Sequence, residues 1–154
     1  MRFRMAMETS LDGIFIMDFE TFRYLDVNET ACKMLGYSRE ELLTKTTLDT
    51  NLDISEADQR RRFEAARVLG SDHVMTEREE RFMRRKDGST FPIEVARRYL
   101  QIGESAIVVG IARDITERKG AEQALRESEA KYRQLMEQAA DGIYLSDAKG
   151  ILFL

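Results

Sequence analysis

Few residues in this sequence are of a type that does chemistry by itself. Cys32 is the one cysteine, His73 the one histidine, and tryptophan is absent. A single cysteine allows no intrachain disulfide and no cysteine-cluster metal site. His73 follows Gly70 in a polar stretch, where exposure to solvent is the default. No nucleophile and base pair, phosphate-cradling loop or metal-ligand cluster stands out. The sequence is therefore read as non-enzymatic, any catalytic output lying outside it.

Charged residues offer more. Arg60, Arg61, Arg62 and Arg67 share one helical stretch, and one of them could hold an anion through a bidentate contact. They alternate with Glu56, Asp58 and Glu64, so a solvated charged face is the preferred reading. Arg81, Arg84, Arg85 and Lys86 stand beside Glu77, Glu79 and Glu80, which cancel most of their field. With a net charge of -4, this reads as a wet strand face with no nucleic-acid footprint. Asp114 and Thr116, flanking Ile115, lie where a strand pattern gives way to a helical one. Either can cap the free amides of the helix that follows, so a small shift of the strand would alter how that helix begins.

These residues are positioned by a regular series of elements. Residues 13–18 form a short apolar run, hence a strand, and 22–27 read as its hairpin partner. Asn28 caps a helix over 29–35 that Gly36 ends. Ser38 with Glu41 fits a capping box before a second short helix reaching Leu43. Residues 44–54 read as polar and irregular. Ser55 with Asp58 opens a helix to about Leu69, stopped by Gly70. Strand character returns over 75–85, and Lys86-Asp87-Gly88-Ser89 is a hairpin turn. Strands follow at 90–101, with Pro92 near the start where a missing donor is tolerated, and at 105–115. The last is the most continuous apolar run, so a central place in the sheet is expected.

From Thr116 the pattern is helical. Ala121, Leu125, Ser128, Tyr132, Leu135 and Ala139 alternate spacings of four and three, a heptad seam that its Ala and Ser make weak. An internal repeat begins within this stretch. Residues 3–18 recur at 132–147, with Arg4/Arg133, Met7/Met136, Glu8/Glu137, Asp12/Asp141, Gly13/Gly142, Ile14/Ile143 and Asp18/Asp147 identical. Both copies share a plan of short helix, Asp-Gly turn and apolar strand. The expected organisation is a domain over 1–116, a linker helix over 117–138, and the truncated start of a second domain over 139–154.

Taken in order, DGIFIMD (12–18), NETACKMLGYSREEL (28–42), RRKDGSTFPIEV (84–95) and GIARDITERK (110–119) resemble the PAS domain with its PAC portion. The resemblance covers about residues 3–119 and restarts at 132. It implies an α+β fold: a five-stranded antiparallel sheet in order 2-1-5-4-3, short helices enclosing a small pocket on one face, and a C-terminal signalling helix. It also implies a sensory or relay domain of a bacterial or archaeal signalling protein, most readily a sensor histidine kinase, with output leaving through Asp114-Ile115-Thr116. The alternatives are a ligand-free dimerisation module, a haem- or flavin-binding redox or gas sensor, and the input domain of a diguanylate cyclase.

Within that family, light sensors carry their adduct-forming cysteine in an Asn-Cys-Arg-Phe-Leu-Gln stretch. Here the surroundings are TACKMLGY, on a different helix, so Cys32 is expected to be a buried small hydrophobe. Haem-binding members use a histidine on the long helix before the third strand; residues 56–69 have none, and Met75 or Met83 would need a partner ligand nearby. No resident cofactor is expected, and the pocket is left to an unidentified small molecule. Its lining is expected from Ile14, Ile16, Leu35, Leu42, Phe63, Val109 and Ile111. A homodimer through the N-terminal segment and C-terminal helix is expected. No secretory signal or apolar run of membrane-spanning length is seen, so a cytoplasmic domain is expected, in a parent protein that a membrane could still anchor.

Overall fold

A computed structural model of the chain describes residues 2–70 and 78–147. In chain order the elements are α1 (Arg2–Glu8), β1 (Gly13–Asp18), β2 (Tyr24–Val27), α2 (Glu29–Leu35), α3 (Arg39–Leu42), α4 (Thr47–Thr50), α5 (Glu56–Leu69), β3 (Glu79–Arg84), β4 (Thr90–Ile102), β5 (Ser105–Asp114) and α6 (Thr116–Asp147). They fall into two compact units, Met1–Thr116 and Glu117–Leu154.

In the first unit one sheet has the order β2-β1-β5-β4-β3, every neighbouring pair antiparallel. This is the expected order, and β5 is its central strand. Helix boundaries follow local chemistry. The side chain of Asn28 accepts from the amide of Ala31, and Gly36 closes α2 at φ 77° with its amide donating to the Cys32 carbonyl. That left-handed φ suits glycine, which has no Cβ to clash. Ser38 and Glu41 satisfy each other's amides in a capping box at α3, and Ser55 accepts from the Asp58 amide at α5.

Helix α4 lies where an irregular stretch was expected. Thr46 and Asp49 form its capping box. Four residues are too few to show apolar periodicity, so only the cap chemistry could have disclosed it.

Side chains alternate across β1 and β5. Phe15, Met17, Val108 and Ala112 are buried against the helices, with Leu35, Leu42 and Phe63 closing the core from their side. Ile14, Ile16, Val109 and Ile111 point to the opposite face.

In the second unit, α6 runs without a break through Asp141 and Gly142, where the repeat predicts a turn and then a strand. A strand needs neighbours to satisfy its backbone groups, whereas a helix satisfies them within the segment. Over 142–147 the helix prevails. Among residues 117–140, every large apolar side chain on α6 is exposed, including Leu125, Tyr132 and Leu135. No helix among the described residues is long and apolar enough to cross a membrane.

Candidate functional site

The end of β5 is fixed by contacts from several directions. Ile115 is 2% exposed, and its amide donates to the Pro92 carbonyl at 3.1 Å. One oxygen of Asp114 accepts from both the amide (2.9 Å) and the hydroxyl of Thr116. Asp114 thus serves the free amide of Thr116, the first residue of α6, while the Thr116 hydroxyl donates and caps nothing itself.

The other Asp114 oxygen receives Arg85, whose guanidinium Nη2 lies 3.4 Å away. Arg85 was expected on a wet strand face. It is instead half-buried, stacked 3.9 Å from the centroid of the Phe91 ring, and donates from Nε to the Met34 carbonyl at the end of α2. The carbonyls closing α2 have no partner within the helix, and a planar guanidinium can satisfy one while keeping its charge on a carboxylate. One side chain thus joins the pocket-side helix to the strand terminus. Met34 and Asp114 lie far from it along the chain, so no local sequence signal marks the link. A second clamp is bidentate: Arg113 Nε and Nη2 donate to the two Asp12 oxygens at 2.9 and 3.1 Å.

The seven expected pocket residues do not line one space. Leu35, Leu42 and Phe63 sit in the core, whereas Ile14, Ile16, Val109 and Ile111 line an apolar concavity on the outer sheet face with Phe3 and Ala6, about 690 Å³ in volume. The inner cavity has a different lining, including Tyr24, Thr47, Gln59, Met83 and Arg97, and is only about 30 Å³. That volume is on the scale of one water molecule, while drug-sized ligands occupy roughly 300–1,000 Å³. The face was misassigned because β1 is apolar on both sides, and alternation alone cannot say which side is inner.

The inner wall is mostly apolar but carries several polar groups. The Tyr24 hydroxyl and Thr50 Oγ1 lie 2.5 Å apart, both residues buried. Burial, against a smaller opposing effect of that hydrogen bond, pushes the Tyr24 phenol far above its ordinary range. Gln59 Oε1 and Thr47 Oγ1 are buried without a hydrogen-bond partner among the described residues. Arg97 is 7% exposed and pairs with Glu79 at 3.2 Å.

Other singled-out residues resolve as follows. Cys32 is half-buried against the core; burial, then the charge of Glu8, raises its thiol pKa, which disfavours thiolate chemistry. Arg60 leaves the expected solvated face of α5. It donates to the Phe19 carbonyl (2.8 Å) and the Glu20 carbonyl, and lies over the Phe22 ring at 4.3 Å. Those carbonyls stand beyond the end of β1, where no backbone amide among the described residues takes them. Met83 is a buried core residue of β3. His73 and Met75 lie outside the described residues. Among the described residues, no group of three or more His, Cys, Asp or Glu is arranged to hold a metal.

Comparison with known proteins places the fold. A family model described as "PAS domain" matches residues 11–117. The chain belongs to the PAS domain family. The methyl sulfide methyltransferase-associated sensor of Methanosarcina acetivorans is 30% identical over 130 residues, covering 81% of this chain and 12% of that protein. The chain thus spans about an eighth of that relative. Among solved structures, a domain of the sensory box sensor histidine kinase/response regulator from Geobacter sulfurreducens is 33% identical with a TM-score of 0.60, covering 73% of this chain and 91% of the other. The PAS domain of an HTR-like protein from Haloarcula marismortui is 25% identical with a TM-score of 0.64, covering 74% and 89%.

Proposed function

We propose that this chain is the sensory and relay part of a sensor histidine kinase, passing a conformational change from the PAS unit through Asp114-Ile115-Thr116 into α6. The sensor and sensor-kinase names of the relatives support the class. The observation that carries the mechanism is the shared Asp114 carboxylate, one oxygen holding Thr116 and the other Arg85. Any movement of α2 or of the β3–β4 turn pulls on the group that sets the start of α6. A helix start that depends on one carboxylate suits a two-state element whose states lie within a few kcal/mol.

Catalysis belongs to an output domain beyond these residues, in the cytoplasm. The exposed seam of α6 and the apolar outer sheet face beside α1 favour a homodimer. In the full-length parent, Asp114→Ala is expected to change basal autophosphorylation about fivefold or more, the scale of a typical coupling energy. Circular dichroism should show the PAS unit still folded. Unchanged autophosphorylation would remove the junction from the mechanism.

A further inference from the structure

Between α5 and the β3–β4 hairpin lies a recess of about 320 Å³, lined by Asp58, Arg61, Arg62, Glu79, Arg81 and Arg97. Four guanidinium groups face two carboxylates there. Both carboxylates are already engaged. Asp58 accepts from the Ser55 hydroxyl and from Arg61. Glu79 takes Arg81 and Arg97 on one oxygen, Oε2, at 3.0–3.2 Å. Arg62 has no ion-pair partner among the described residues. Burial, and then the charges of Arg81 and Arg97, lower its pKa, as expected of a cation crowded by cations.

Arg97 makes this more than a surface patch. It is more than nine-tenths buried, and an arginine so placed costs several kcal/mol to desolvate unless well paired. Its one ion-pair partner among the described residues is Glu79, which it shares with Arg81. It also lines the inner cavity beside the unpartnered Gln59 Oε1 and Thr47 Oγ1. Gln59 Oε1 can only accept, so water is what suits it in that cavity, and it is the arginines that call for an anion.

We propose that the recess binds a compact dianion whose oxygens accept from Arg62, Arg81 and the buried Arg97, with Glu79 as the internal anion it partly displaces. A carboxylate and a phosphate share this chemistry, since each presents paired oxygens to a guanidinium fork. The proposal rests on the sensor reading and names the class of ligand sensed. Through Arg97 on β4, which pairs with β5 at Gly110, the bound charge would act on the central strand.

The test is isothermal titration of the 154-residue chain with inorganic phosphate and, separately, succinate, against sodium chloride at matched ionic strength. Saturable binding of either dianion is expected, and which one binds identifies the source. Arg62→Gln should weaken it about tenfold or more, the scale of one lost charge-assisted contact. Glu79→Gln should strengthen it, by freeing Arg81 and Arg97. Arg97→Met should abolish it; should that variant fail to fold, the opposed pair of Arg62→Gln and Glu79→Gln still decides the matter. Binding no stronger than that of chloride, Arg62→Gln titrating like the wild type, or Glu79→Gln losing affinity would each overturn the proposal. None of these results touches the junction mechanism, which is tested by kinase output.

Discussion

The buried phenol of Tyr24 shows how single groups set the behaviour of the interior. Its hydroxyl meets Thr50 Oγ1, and both residues are buried. Removing it with Tyr24→Phe is expected to cost about 1 kcal/mol, the net worth of a typical hydrogen bond, read by urea denaturation at neutral pH. The pH dependence follows from the raised phenol pKa. The unfolded chain ionises near the ordinary value of about 10, while the folded chain does not. Stability is therefore complete below that value and falls as the pH rises above it. Between about pH 9 and pH 11, Tyr24→Phe should lose stability less steeply than the wild type. None of this was legible in the sequence, where Tyr24 was only one residue of the hairpin partner expected over 22–27. Arg60, Arg85 and Arg97 were hidden for the same reason: a charged side chain looks solvated until the fold brings distant carbonyls or carboxylates to it.

At the scale of elements, the sequence was far more informative, because caps and turns act over a few residues. Asn28 illustrates both the success and its limit. Its role as the cap of α2 is readable from its place before Glu29, but its other bonds are not. Its side-chain oxygen also accepts from the Ile14 amide, and its amide group donates to the Met7 and Asp12 carbonyls. One buried side chain therefore ties α1, β1 and α2 together. Asn28→Ala should destabilise the domain by about 2–4 kcal/mol, combining a lost cap with orphaned buried groups, as a shift in the urea midpoint without loss of slope. Helix α4 escaped because four residues carry no period, although its Thr46 and Asp49 box was present in the sequence. The inner and outer faces of β1 were confused because Ile14, Phe15, Ile16 and Met17 are all apolar; only the helices packed on one side decide between them.

For the molecule as a whole, the ordered motifs were enough to anticipate the PAS sheet, its strand order and the central place of β5. Residues 132–137 are helical like their counterparts 3–8, and the divergence from the first copy comes after them. Residues 142–147 continue α6, where the corresponding residues 13–18 find β2 and β5 as neighbours. The heptad seam on α6 is exposed throughout its described length, with Leu125 at 60% and Leu135 at 54%. If the homodimer uses that seam, Leu125→Lys with Leu135→Lys should lower the dimer fraction in sedimentation equilibrium and leave the PAS unit folded. The most direct test of the relay is amide hydrogen exchange on the 154-residue chain carrying Arg85→Met, which keeps a side chain over Phe91 but cuts the link between Met34 and Asp114. The relay predicts faster exchange at Thr116 and through the first two turns of α6, with β1 and β2 unchanged. Wild-type exchange at those helix amides would contradict it.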